Sequence, residues 1–415
     1  MVKPRAAVMS GMGACNGLGL DAPAMNKALG EQRFAEHRPF FADDRDAARH
    51  GMPFNPLQVA MPPLAKGRTS AAATAAVLLQ RVIDEALGHA KLRRGDLATQ
   101  RVQMYIGGQG VQPEAIEFTA YLSRNDREDV LFNPSIKQMH SESYSEDRLA
   151  QLLMLHYALA WPPLAIATAS CSSMSALYLA SRAIESGSVD IAVVASWQQV
   201  TMYNMMFMGG MNALARSVAQ PFSANTEGVI LGAGVAAAIL ESPEHLARRN
   251  GVGRLRIEGF AMCQSGGSSR GGQSFSPDFR SISRTIGESL EQAQTGADRI
   301  GCIFMHGNGI RGSDQAELMA VRKVWGENGI PAVSYKAQLG YQVAASGLTD
   351  LAILADAMQQ QRLLAFRTQS PLDFAAGVQL HADAAPMPLL SDKVVKLGLG
   401  LEGSVAACTL SAWRE

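Results

Sequence analysis

Apolar and polar positions along the chain follow two periods. Short β-branched or apolar runs, RVQMYIGG (101–108), PPLAIAT (162–168) and DIAVVAS (190–196), have the length and composition of strands. Longer runs, TSAAATAAVLLQRVIDEALGHA (69–90) and SMSALYLASRAIESG (173–187), repeat apolar residues at helical spacing with small-residue faces. A second set follows in similar order: GVAAAILES, RLRIEGFAM and RIGCIFMHG, then the helix 314–329, the strand PAVSYK and the helix 347–361. This alternation predicts α/β layers built from two similar halves. The join is expected between Glu241 and Gly253, where the chain is charged and ends in glycine, which divides it into 1–245 and 246–415. The N-terminal stretch predicts a first strand from Ala6 to Met9 followed by a glycine-rich turn, and not a signal peptide, because its apolar run is too short. The polar stretch Gln112 to Glu146 predicts a long excursion covering a site or a subunit contact.

Composition narrows the function. The 415 residues carry 37 basic and 37 acidic side chains, and 47% are apolar, which suits a large buried core and gives nucleic acid no basic surface to meet. Every apolar run is interrupted before 18 residues, so no membrane span is expected and the protein is read as soluble. Five cysteines, at 15, 171, 263, 302 and 408, lack disulfide or metal-ligand spacing. That points to a reducing cytoplasm, no metal and no cofactor, with mostly inert thiols.

Cys171 is the exception to consider. In ATASCSSMSA (167–176) it stands where a strand turns into a helix, and the first amides of a helix lack intrahelical partners. Those amides and the helix dipole are expected to favour a thiolate, giving a nucleophile on a sharp turn. A buried, inert cysteine among Ala and Ser is the competing reading of the same residues.

The segment ATASCSSMSALYLASRAIESGSVDIAVVAS resembles the active-site segment of β-ketoacyl synthases of the thiolase superfamily. Four further stretches match in order: QPFSANTEGVILGAGVAAAIL, MHGNGIRGSDQAEL, YKAQLGYQVAASGLTDL and LGLGLEGS; RAAVMSGMGACNGLG is similar to the family's first strand and turn. The resemblance implies a thiolase fold, five layers α-β-α-β-α from two similar halves, usually dimeric. It makes Cys171 the acyl-carrying nucleophile, with the N–H groups of Cys171 and Leu399 as oxyanion hole. It gives His306 a part in activating the extender unit, and Lys336, with Asp350 as acidic partner, a part in charge balance. Asp314 and Glu317 are read as structural residues capping the start of a helix. Phe207 and Met208, in the methionine-rich stretch 202–211, fall where the family lines its acyl pocket and dimer contact.

Several positions depart from the family pattern. Tyr341 replaces the second histidine; a phenol can donate a hydrogen bond to a thioester carbonyl but cannot relay protons near neutrality. Asn308 and Ile310 replace hydroxyl residues that touch the pantetheine arm, Glu402 replaces a small glycine, and Ala233 replaces an acid. Three functions follow from this mixture. One is condensation of an acyl group on Cys171 with a malonyl-type thioester on an acyl carrier protein, in fatty acid or polyketide-type biosynthesis. Another is a non-decarboxylating acyltransferase using Cys171 and His306. The third is a chain-length-factor-like subunit of a ketosynthase. The expected assembly is a homodimer, or a heterodimer with a second ketosynthase-like subunit, formed by strand DIAVVASW across a two-fold axis.

Overall fold

Strands buried on both faces need apolar residues at every position, and that is what the central runs supply. The computed structural model describes residues 6–61, 71–108, 146–265, 277–372 and 378–414. Eleven strands share one hydrogen-bonded order: Gln379–Leu380, Pro331–Val333, Cys302–Phe304, Lys393–Leu399, Ser404–Ala412, Leu255–Gln264, Val8–Asn16, Gly234–Glu241, Ile191–Gln198, Val102–Gly108 and Leu164–Ala167. The ladder is continuous only because Val8 and Met9 pair with Arg256 and Leu255. On either side of that junction lies a unit of the same order, five strands on one side and six on the other, where Gln379–Leu380 is added at the edge; in both the parallel strands are outermost and the antiparallel ones at the junction.

Side-chain alternation sorts these strands into layers. Val102, Met104, Ile106, Val193 and Ala195 face an outer pair of helices, Ala71–Ala90 and Glu146–Tyr157. Tyr105, Ala192 and Val194 face the opposite way, toward helices Ser172–Glu185 and Ser346–Gln360. Across those two helices Cys302, Phe304 and Val394 close the same core from the other side. Ile303, Val395 and Leu397 then pack against the second outer pair, Phe279–Gln292 and Arg311–Trp325. The result is the five-layered α-β-α-β-α thiolase fold, with the ends of the two central helices at its heart.

Two expectations are corrected. The first strand runs from Val8 to Asn16, through the glycines read as a turn. These glycines serve close packing: a Cβ at Gly11 would stand 1.9 Å from the Ala86 carbonyl oxygen, and one at Gly13 2.2 Å from that of Val82. Strand Ile191–Gln198 cannot pair with a second copy, because Val102–Gly108 and Gly234–Glu241 occupy both its edges. The outermost strand on that side is Leu164–Ala167, which is largely exposed. The expected excursion lies, up to residue 145, outside the described residues. Among the described residues, no helix is long and apolar enough to cross a membrane.

Candidate active site

Strand Leu164–Ala167 ends in a 3-10 turn, Ala169–Cys171, entered through Ala169 at φ +41°, and Cys171 is the N-cap of helix Ser172–Glu185. The Ser172 hydroxyl ties the corner together, accepting from Thr168 N (3.0 Å) and lying 2.6 Å from the Gly108 carbonyl and 2.7 Å from that of Ala169. Cys171 is fully buried, its Sγ 3.7 Å from the Ser404 carbonyl oxygen. Gly398 faces it closely enough that a Cβ there would stand 3.7 Å from Sγ, which brings the Gly398–Leu399 backbone beside the thiol. The Cys171 N–H already donates to the Thr168 carbonyl at 2.9 Å, so it could serve an oxyanion only as a shared donor. The thiolate expectation is also corrected: burial, and then the nearby Glu402 carboxylate, push the Cys171 thiol well up, while Lys396 pulls it down. A helix terminus lowers a thiol pKa only where its desolvation is modest.

His306 stands on the turn after strand Cys302–Phe304, 3% exposed. Two carboxylates from helix Arg311–Trp325 hold this turn. Glu317 accepts the backbone N–H groups of His306 and Gly307 (2.8 Å for Gly307), and Asp314 accepts those of Asn308 (3.1 Å), Gly309 (3.2 Å) and Phe222 (2.9 Å). They therefore do not cap their own helix, whose N-cap Ile310 has no side-chain bond. Burial raises both carboxyls, Asp314 to about 7 with the neighbouring Glu317 contributing.

Tyr341, 1% exposed, crosses to this turn. Its hydroxyl contacts Ser170 Oγ and lies 3.4 Å from His306 Nε2, the two rings meeting edge to face at 5.7 Å. Asn308 fixes the imidazole proton. Its Oδ1 accepts the Ile310 N–H at 2.9 Å, which leaves the donor Nδ2 3.4 Å from His306 Nε2. With that donor facing it, Nε2 is assigned as the bare nitrogen of a neutral ring. Burial, with Lys336 and Lys396 adding, holds the imidazole well below its usual range and keeps it neutral. At rest His306 is thus a base, and the groups that can donate hydrogen bonds beside it are the Tyr341 hydroxyl and the Asn308 amide. Burial also pushes the Tyr341 phenol well above its usual range, so it acts as a neutral donor.

Lys336 opens the short helix Lys336–Leu339, and its Nζ meets Asp350 Oδ2 at 3.2 Å, both residues buried. A second buried lysine, Lys396, reaches the same oxygen at 2.6 Å. Burial alone would raise the Asp350 carboxyl; the two ammonium groups more than offset it and hold it below its usual range. Lys396 was missed from sequence, yet it stands in KVVKLGL among residues that pack on both faces, and a lysine there has to find a buried partner.

A cavity of about 280 Å³ opens beside this cluster. Phe207 and Met208, from helix Met202–Gly210, line it together with Ser170, Tyr341, Leu401 and Glu402. Neither Cys171 nor His306 lines it; Ser170 and Tyr341, in contact with each other, are part of its wall. Asn308 and Ile310 also stay outside it, Asn308 buried behind Tyr341 and Ile310 packed against the cluster around Met205 and Met208. The structure thus gathers Cys171, His306, Tyr341, Asn308, Lys336 and Leu399 around the ends of the two central helices, and places Phe207, Met208 and Glu402 at the approach.

The fold and this cluster define an α/β protein of thiolase architecture with its candidate nucleophile at a helix N-cap. The Beta-ketoacyl synthase N-terminal domain model matches residues 56–245 and the Beta-ketoacyl synthase C-terminal domain model residues 256–368. The chain belongs to the β-ketoacyl synthase family. It is 27% identical, over 198 residues, to the ketoacyl synthase alpha subunit of the tetracenomycin polyketide synthase of Streptomyces glaucescens, covering 47% of this chain and 46% of that subunit. The matched region is thus under half the length of that relative. Among solved structures it is similar to a β-ketoacyl synthase from Burkholderia phymatum (TM-score 0.83, 20% identity, 99% of this chain and 100% of that one). It is also similar to a type II polyketide synthase structure in which an acyl carrier protein is in complex with its hexaketide-bound ketosynthase (TM-score 0.83, 19% identity, 99% and 100%).

Proposed function

We propose that this chain is a condensing enzyme of polyketide or fatty acid type, taking an acyl group onto Cys171 from an acyl carrier protein and joining it to a malonyl-type thioester. The observation that carries this reading is the Tyr341 phenol, whose hydroxyl contacts Ser170, the residue before Cys171, and lies 3.4 Å from Nε2 of a neutral His306. In the first step the Cys171 sulfur attacks the acyl thioester carbonyl, its proton passes to His306, and the carrier thiol leaves. In the second, carbon dioxide departs from the malonyl unit, and the Tyr341 hydroxyl and Asn308 amide meet the developing enolate oxygen. That carbanion equivalent attacks the Cys171 thioester and releases the thiol. The two halves are taken as 1–245 and 246–415, the setting as cytoplasmic, and the assembly as a pair of ketosynthase-like subunits, with the exposed strand Leu164–Ala167 as the edge free for it.

One observation favours a second reading, a chain-length-factor-like partner subunit: the Cys171 thiol is wholly enclosed and lies outside the cavity. Intact-protein mass spectrometry after incubation with acyl carrier thioesters separates the two. An acyl adduct on wild type that disappears in Cys171→Ala supports the condensing enzyme. No adduct with any donor, while the chain restores activity to an added ketosynthase, overturns it in favour of the partner subunit.

A further inference from the structure

Strand Lys393–Leu399 is buried on both faces, yet it carries Lys396, which is 1% exposed. Alternation puts Lys396 on the side of Val394, in the central core, and of Gly398, whose Cα faces the Cys171 sulfur. On that side its Nζ is 2.6 Å from Asp350 Oδ2 and 3.5 Å from the carbonyl oxygen of Met305, the residue before His306.

Asp350 already has a partner in Lys336, at 3.2 Å. A second ammonium on the same carboxylate oxygen adds a desolvation cost that ion pairing with Asp350 repays poorly. Its return must come from what else it faces. Among the described residues, the charged and titratable groups around the thiol are Glu402, Lys396, Cys263 and Tyr341; around His306 they are Lys336, Lys396 and Tyr341; and the Glu317 carboxylate feels both lysines. Lys396 is the cation common to the thiol and the imidazole.

We propose that Lys396 is a positioning residue of the condensing site: its ammonium pins Asp350 and the Met305 carbonyl next to His306, and sets a positive charge on the thiol side of the pocket against Glu402. This rests on Cys171 being the working nucleophile. For a thiol that must ionise without solvent, Lys396 is the group that works against burial and Glu402, though it does not cancel them. It also adds, after burial and Lys336, to what keeps His306 neutral and ready to accept a proton.

The test reads the pH profile of Cys171 alkylation by iodoacetamide, located by peptide mass spectrometry, so it does not depend on condensation taking place. Removing a positive charge disfavours the thiolate, so Lys396→Met shifts the midpoint to higher pH by about one unit, a tenfold slower reaction on the rising limb. Lys396→Arg, which keeps the charge, restores most of the rate. Should Lys396→Met fail to fold, Lys396→Gln, which removes the charge but keeps a hydrogen-bond donor toward Asp350 and the Met305 carbonyl, is measured in its place and is expected to show the same upward shift. A midpoint unchanged from wild type in the folded variant, or an arginine variant as impaired as methionine, overturns the proposal. Failed acyl loading with an intact Lys396-dependent profile would instead count only against the condensing function.

Discussion

Two corners of this molecule are built alike and used differently. At one, strand Leu164–Ala167 turns through Ala169–Cys171 into helix Ser172–Glu185; at the other, strand Pro331–Val333 leads through Val343–Ala345 into helix Ser346–Gln360. Each turn contains one non-glycine residue at positive φ, Ala169 at +41° and Val343 at +32°. Each helix is entered through an N-cap near φ −90°, Cys171 in one case and Ala345 in the other. The helices meet so closely that a Cβ at Gly347 would stand 2.6 Å from Ser173 Oγ. The backbone device is therefore common to both, and the difference lies in side chains. The first corner presents a thiol. The second presents none at the cap, and supplies Tyr341, which contacts Ser170 beside the thiol of the first, and the Lys336–Asp350 pair behind it.

That division is broken most severely at Asp350. Its one carboxylate oxygen serves two buried ammonium groups, so Asp350→Asn leaves both without a counter-charge. Removing one member of a buried ion pair costs roughly 3–5 kcal/mol. We predict a loss of that size in urea unfolding for Asp350→Asn, and a smaller one for Lys336→Met, because Lys396 would still hold the carboxylate. Equal losses for the two variants would show that the lysines do not share Asp350 as the geometry indicates.

Tyr341 tests whether the second corner takes part in chemistry. Its hydroxyl and the Asn308 amide are the donors beside His306 Nε2. Loss of one well-placed oxyanion donor costs roughly a hundredfold to a thousandfold in rate. We expect Tyr341→Phe to slow malonyl decarboxylation by that factor, measured as carbon dioxide release, while acyl loading of Cys171 falls less. Unchanged decarboxylation in Tyr341→Phe would make the tyrosine a filler of space and return the oxyanion to Asn308 alone.

How far these corners could be read in advance follows from what each residue interacts with. The alternating runs gave the layers because burial on both faces leaves only apolar choices, and Cys171, His306 and Lys336 stood out within stretches resembling a known family. Lys396 did not stand out, because one charge in a strand is read as an exposed edge unless its partner is known, and that partner, Asp350, is 46 positions away on a different element. Asp314 and Glu317 looked like caps for the helix that carries them, whereas they turn back to the loop before it. Strand DIAVVASW was assigned to a subunit contact by family resemblance and composition, but neither says which neighbours fill a strand's edges in this chain. For Lys396 and the strand the missing information was a long-range contact; for the two acids it was the path of the adjoining loop.

The smallest predicted effect compares the first helical residue of each corner, a serine in both. Ser172 Oγ accepts from Thr168 N and reaches the carbonyls of Gly108 and Ala169, so it joins strand, turn and helix. Ser346 Oγ is buried without a hydrogen-bond partner among the described residues. A satisfied buried hydroxyl and an unsatisfied one respond differently to removal: the first leaves an unpaired amide, costing about 1–3 kcal/mol, and the second relieves a desolvated polar group. We therefore predict that Ser172→Ala lowers stability in urea unfolding by that amount and weakens acyl loading through a loosened Cys171, while Ser346→Ala leaves stability unchanged or slightly higher. If the two substitutions cost the same, the corners are equivalent in packing as well as in backbone, and the thiol side owes nothing to the extra hydrogen bonds that Ser172 makes.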